Sequence, residues 1–474
     1  MTNKLLLPVC LAATTLTACS LAPRYDRPMA PVAAQWSTSS GSGSVPAVEA
    51  GGEAYVADIG WRSMFKSPKL LSLIEGALAN NRDLRIATLK IEAARSTYRI
   101  QRSDLFPSVN ATGSATRQQL SGSSSGSGHS ETVSAYTSGI GFTAYELDLF
   151  GRVRSLGSRA MNQYLATEEG RKAAQTSLIA EVANAYLTYL ADTELLQLTE
   201  NTLRTQQDSF DLIKRSFDLG AKSRLEVSQA ATLVETSRTN CTIYKRQVEQ
   251  DKNALTLLVG KEIDSELLKP ESLSSVQLME MLPAGIPSTV LLERPDVRQA
   301  EYLLKAENAN IGAARGAFFP IISLTGSAGF ASNSLSDLFV TGSSGVWSFS
   351  PQVILPIFQG ERLFSNLKLA KTNRDIAVAQ YEKTIQIAFR EVADALAANA
   401  TNNEQLHAQQ ALVRASEEAF TIMKARYSQG IDSYFALLDT QRSFYAAEQN
   451  EILVRQQSLS GRIALYKALG GGWK

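Results

Sequence analysis

In a chain of 474 residues with two histidines and three cysteines, chemistry has few places to happen. His129 stands in the Ser/Gly-rich run SGSSSGSGHS and His407 in a helix-patterned stretch, so neither joins Cys, Asp or Glu at metal-ligand spacing. No Ser/His/Asp arrangement emerges, and the glycines beside His129 lack the strand-to-helix setting of a phosphate cradle. Cys241 sits in a helical pattern as a small packed hydrophobe. The sequence therefore predicts no enzyme, no metal and no bound cofactor. Cys19 is the one residue whose neighbours specify a reaction.

The N-terminus, MTNKLLLPVCLAATTLTACS, has a lysine, a short apolar core and Leu-Thr-Ala before Cys19. It is too short for a membrane helix and fits an export signal over residues 1–18. The Leu-Thr-Ala-Cys spacing resembles a lipobox, in which the thiol receives diacylglycerol and the new N-terminus a fatty acyl group. Ser20 follows where retention in an inner membrane would resemble Asp, so the expected destination is an outer membrane. With Cys10 removed and Cys19 acylated, Cys241 is left alone and no intrachain disulfide can form. A formal charge of +1 with interspersed basic and acidic residues argues against nucleic acid. After the leader no apolar run approaches the ~20 residues of a membrane helix.

The elements that must carry this anchor come as a tandem duplication. LFPSVNATGSA at 105–115 returns as FFPIISLTGSA at 318–328, and at one constant offset Asp83, Arg85, Ala93 and Arg102 fall on Asp296, Arg298, Ala306 and Arg315. Downstream, Glu181, Gly220, Ser223 and Gly260 fall on Glu391, Gly430, Ser433 and Gly470. We divide the chain into an extended lipidated arm at 19–66, a first copy at 67–269, a linker at 270–290 and a second copy at 291–474. Each copy is predicted to hold a helix, a β-hairpin and a long helical hairpin.

Helical patterning from Leu70 to about Leu105 stops at Phe106-Pro107. The period then changes from 3.6 to 2. Ile322, Leu324, Ala328 and Phe330 alternate with Ser323, Thr325 and Ser327, while Val109, Ala111 and Ala115 alternate with Asn110, Thr112 and Ser114. Strands of about ten residues suit a tilted crossing of a bilayer. A soluble sandwich shares the alternation; the export signal tips the reading to membrane strands, with Ile322, Leu324 and Phe330 toward lipid. An open four-stranded sheet would leave backbone groups unpaired in lipid, so the barrel must be shared between chains. Two chains would make eight strands around a filled interior, three would make twelve around a channel.

The remaining bulk is long helix. No proline occurs between Pro107 and Pro270, and Leu178, Val182, Tyr189, Leu196, Leu203, Phe210 and Phe217 keep a spacing near coiled-coil periodicity. A helix from about Ser158 to Leu219 is predicted to reverse at Gly220, and its second-copy counterpart at Gly430, where a left-handed residue suits a helix end.

The lipobox, the AYELDLFGRVRS stretch at 144–155, the RSFDLGAKSRLEV turn at 215–227 and the ARYSQGIDSYFALLDTQRS turn at 425–443 together resemble the TolC/OprM family of outer-membrane efflux lipoproteins. The resemblance covers essentially the whole mature chain. It implies a mostly helical homotrimer: a twelve-stranded outer-membrane β-barrel continued by a periplasmic α-helical barrel. It implies docking to a periplasmic membrane-fusion adaptor and an inner-membrane transporter, with drugs or other toxic small molecules conducted passively outward. It implies adaptor contacts at the tips around Gly220, Ser223, Gly430 and Ser433. It implies a gate in which Phe435 and Asp439 form rings near the threefold axis while Tyr427 and Arg442 tie helices shut. The family pattern carries leucine where this chain has Phe435, so the constriction is expected to be bulkier. Turn chemistry alone would account for Gly and Ser at the tips, and Asp439 with Arg442 could be a solvated helix pair. The alternative function is a lipid-anchored coiled-coil envelope scaffold without a pore, which explains the heptads and Cys19 but not the hairpins.

Overall fold

The duplication is visible in the element boundaries of the computed structural model, which describes residues 21–36, 60–124, 126, 128–279, 288–340 and 342–473. A one-turn helix at Trp61–Met64 precedes the first copy, which runs α1 (Pro68–Asn80), α2 (Arg82–Ser103), β1 (Val109–Leu120), β2 (Glu131–Glu146), α3 (Arg152–Asp218) and α4 (Arg224–Val259). The second runs α5 (Pro295–Gly316), β3 (Ile321–Ser332), β4 (Gly345–Ile354), α6 (Arg362–Ser428) and α7 (Tyr434–Ala468). α2 and α5 each have 22 residues, and α3 and α6 each have 67. At 1.5 Å per residue the long helices extend for about 100 Å. The signal segment at 1–18 and Cys19 lie outside the described residues.

Two boundaries differ from expectation. The helix expected from Leu70 to Leu105 is two helices, because Asn81 is extended and its Oδ1 accepts from the Leu84 amide, capping α2. The long helix expected from Ser158 begins at Arg152. The carboxylate of Asp148 accepts from the amides of Val153 and Arg154, so six more residues are helical.

The chain forms two compact units. One comprises residues 21–29, Lys90–Thr167 and Gln299–Tyr381, and contains the sheet. Its strands run antiparallel in the order β1-β2-β3-β4. The arm at 21–29 lies along α5: Arg315 donates to the Leu21 carbonyl at 3.0 Å and Asn308 to the Pro23 carbonyl at 2.8 Å. Arg27 grips buried Glu301 with Nε at 2.9 Å and Nη2 at 3.0 Å, and Tyr25 donates to the same carboxylate at 3.1 Å. Gly312 makes room for this passage, since a Cβ there would stand 2.8 Å from Ala22.

The other unit comprises Ala30–Leu89, Glu168–Arg298 and Glu382–Lys474. Its core centres on Tyr186, Leu187, Leu190, Ile179 and Val182 of α3. Tyr186 donates to Glu271 at 2.7 Å, and Tyr189 donates to the Leu268 carbonyl. The expected linker therefore packs where it is described: Leu278 bridges Phe65, and the Leu273 amide reaches Glu194 at 2.7 Å. Trp36 of the arm stacks on Phe389 with ring centroids 5.1 Å apart.

Candidate functional site

The pairing of the strands decides which side chains share a face. Ile322, Leu324 and Ala328 of β3 stand opposite Val353, Pro351 and Trp347 of β4, while Ala328 and Gly326 stand opposite Ile140 and Phe142 of β2. This face is apolar and bare, with Trp347 80% and Val353 63% exposed. On the other face Ser323, Thr325 and Ser327 stand opposite Gln352, Ser350 and Ser348, and Asn110 and Thr112 opposite Gly141 and Gly139. The hydroxyls pair across strands, Ser114 with Thr137 at 2.8 Å and Ser327 with Ser348 at 2.9 Å. The alternation read from the sequence thus holds across the middle of the sheet, and breaks toward the strand ends, where Arg117 falls on the apolar side and Val133, Val346 and Ile354 on the hydroxyl side.

The two faces treat glycine differently. On the apolar face the Phe142 ring fills the space above Gly326, 2.9 Å from where a Cβ would be. On the hydroxyl face a Cβ at Gly329 would stand 2.2 Å from the Ser138 carbonyl oxygen, and one at Gly141 2.6 Å from that of Gly326. The backbone closes in over the hydroxyl face, as on the concave side of a curled sheet. A bulge between Phe142 and Tyr145 adds to the curl: Ala144 has φ 54° and donates to Thr325 Oγ1 at 3.1 Å.

At the helical tips Gly220 (φ 76°) and Gly430 (φ 74°) are left-handed with open space around them, so backbone conformation alone requires glycine. Ser223 and Ser433 both cap the following helix. Ser223 accepts from the Glu226 amide at 3.2 Å while Glu226 accepts from the Ser223 amide at 2.8 Å, a reciprocal capping box. Ser433 makes the single bond, from the Ala436 amide at 3.3 Å. The Ser-Arg-Leu-Glu spacing at 223–226 announced this box in the sequence.

The gate residues expected from the sequence share this region. Tyr427 packs on buried Tyr434 with ring centroids 5.5 Å apart, beside a cluster of Ile213, Ala230 and Leu438. Lys222 of the first tip, which sequence reasoning missed, lies 4.9 Å above the Tyr427 ring and 3.1 Å from Glu226. Its ammonium is held above the usual lysine range by Tyr427 first and Glu226 next. Glu226 is held below the usual carboxylate range, chiefly by the Ser223 amide. Arg426 forms an ion pair with Asp432 across the second turn. Phe435 is exposed, and Asp439 with Arg442 makes an exposed contact of 3.5 Å within one helix. Within one chain, then, Tyr427 is tied to the first tip, and Arg442 is not.

The helical hairpins also hold acids away from the tips. Burial, followed by neighbouring Asp192, pushes Asp251 up to about 7, and Asp192 is itself raised by burial. Glu448 is pushed up to about 7 by burial, with Glu417 and Glu451 adding to it. Among the described residues no group of three or more metal-binding side chains occurs, and Cys241 is buried. No described helix is long and apolar enough to cross a membrane.

Comparison with known proteins converges on one family. The family model for outer membrane efflux proteins matches residues 73–261 and 286–471, once over each copy. The antibiotic efflux pump outer membrane protein ArpC and the toluene efflux pump outer membrane protein TtgC, both of Pseudomonas putida, are each 49% identical over 471 residues, spanning 99% of this chain and 96% of theirs. Among solved structures, the open state of the Neisseria gonorrhoeae MtrE outer membrane channel superposes with a TM-score of 0.85 at 38% identity, over 96% of this chain and 99% of that one.

Proposed function

This chain belongs to the outer membrane efflux protein family and serves as an outer-membrane efflux channel, and we propose that it does so as a homotrimer forming the exit duct of a tripartite pump. The observation that carries the trimer is the sheet. Four antiparallel strands leave β1 and β4 as unpaired edges of opposite direction, so copies can join edge to edge antiparallel and close. Three copies give twelve strands, with the bare apolar face toward lipid and the hydroxyl face toward a water-filled lumen. A scaffold without a pore would have no use for this division.

Cys19 carries diacylglycerol and a fatty acyl group, fixing the arm to the outer membrane. A periplasmic adaptor docks at the tips around Gly220, Ser223, Gly430 and Ser433, and an inner-membrane transporter delivers drugs, solvents or other toxic small molecules, as the names of the relatives suggest. Tyr427, Phe435, Asp439 and Arg442 form the periplasmic gate, with conduction passive and no catalytic residue or cofactor involved.

The decisive experiment is single-channel recording of the purified protein in planar bilayers: discrete conductance steps are expected, and their absence from an intact trimer would sink the reading. Tyr427→Phe with Arg442→Ser should raise the step size without loss of trimer. For the adaptor, Ala221→Cys and Ile431→Cys are better crosslinking sites than the capping serines, because both are exposed and neither side chain caps a helix. Loss of fatty-acid labelling in Cys19→Ala tests the anchor.

A further inference from the structure

The hydroxyl face carries more than polarity. Along Asn110–Thr116, Thr137–Gly141, Ser323–Gly329 and Ser348–Gln352 there is no Asp, Glu, Lys, Arg or His on either face, and β3 and β4 have none anywhere. The ionisable exceptions in β1 and β2 stand toward strand ends: Arg117, Glu131 and Glu146. Glu146 is occupied by Arg152, and Glu131 pairs with Leu120 at the last rung of the β1–β2 ladder. Within the four stretches above, the hydroxyl face is serine, threonine, asparagine, glutamine and glycine.

Charge selection in a pore requires fixed charge close to the path, as rings of acids or bases provide. We infer that the strand-built part of the passage has no electrostatic filter: it is a neutral, hydroxyl-lined conduit that admits cationic, anionic and uncharged solutes alike. Discrimination by charge must then occur outside the sheet. The inference rests on the channel reading above and deepens it by naming the solute class. The neutrality is local to the strands, since the helical tips carry Lys222, Glu226, Arg426, Asp432, Asp439 and Arg442.

The test adds charge to a wall that has none. Ser350 faces the same side as Thr325, and Phe349 faces the opposite side. Full-length Ser350→Cys and Phe349→Cys proteins are assembled first, then treated with cationic or anionic thiosulfonate reagents, so folding precedes the charge. Buried Cys241 and the parent protein serve as the background. In a potassium chloride gradient across a planar bilayer, modified Ser350→Cys should shift the cation-to-anion permeability ratio about threefold or more, in opposite directions for the two reagents. Modified Phe349→Cys should not move it. Ser350→Cys that resists the reagents in a conducting trimer, or reacts without changing the ratio, overturns the inference while the channel reading stands. A parent protein that never conducts defeats both.

Discussion

The two copies begin alike and part company halfway along their long helices. In α3 the stretch at 186–195 supplies Tyr186, Leu187, Tyr189, Leu190 and Leu195, all buried. The equivalent positions of α6 hold Leu396, Ala397, Asn399, Ala400 and Gln405, none of them buried in the chain. The cause is the segment following α4, which packs over α3 through Tyr186–Glu271 and Tyr189–Leu268. Duplication supplied two equal helices. One lies under a cover and carries a greasy face beneath it; the other carries the small and polar surface of a helix without that cover.

The same logic holds where each copy closes on itself. Asn81 donates to the Leu258 carbonyl at 2.9 Å, and at the matching position Arg294 donates to the Ala468 carbonyl at 2.7 Å. Arg294 also holds Asp296 and Glu391, each at 2.7 Å. Asp192 and Asp251 of the first copy correspond to Asn402 and Gly461 of the second, where the Asn402 amide lies 2.6 Å from the missing Cβ.

Substitutions at paired positions can break or sharpen this comparison. The largest effect is expected at the covered face. Tyr186→Ala empties a fully buried ring and removes one donor to Glu271, which keeps Ser67 and Lys69, and should cost about 3–5 kcal/mol in thermal or denaturant unfolding. Leu396→Ala should cost well under half of that; equal costs would mean the cover is irrelevant. Next comes the closing bond. Arg294→Met strands a buried carbonyl and two acids for about 2–3 kcal/mol, discounted because both acids are partly exposed, against about 1 kcal/mol for Asn81→Ala.

The third concerns pH. An aspartate raised to about 7 in the fold, against ~3.9 when unfolded, favours the protonated native state. Stability from this site is therefore full below about pH 4, falls between about 4 and 7 as the unfolded chain ionises first, and is lowest above 7. Asp251→Asn should leave stability unchanged near pH 4 and raise it by about 1–2 kcal/mol at pH 8. A flat difference across that range would show the pair is not proton-linked. The smallest effect separates the caps: Ser223→Ala, losing a reciprocal box, should cost about 1 kcal/mol and Ser433→Ala about 0.5 kcal/mol.

What the sequence revealed, it revealed through local rules. Gly220 and Gly430 announced helix ends, the alternation around Leu324 fixed the sheet faces, and repeated words disclosed the duplication. What it hid depended on partners distant along the chain or on competition between neighbours. Asn81 read as one polar residue in a helical run because its bond to Leu258 was invisible. Asp148 gave no sign that it would start α3 early. At the tips, Lys222 gained its meaning only when folding laid it on Tyr427, 205 residues later in the chain. The exposed Asp439–Arg442 contact shows the reverse: spacing along one helix makes a pair without showing what else it meets.

The arm's grip on Glu301 has a consequence for the order in which the molecule is made. Arg27 and its acceptor are 274 residues apart, so the arm is synthesised long before α5 exists to receive it. Closing so long a loop is slow and entropically costly until the intervening chain is compact. Arm docking therefore comes late in biogenesis and depends on the second copy being in place. A chain truncated before Glu301 would have nowhere to lay the arm, so residues 21–29 should be cut faster by added protease than in the full-length protein.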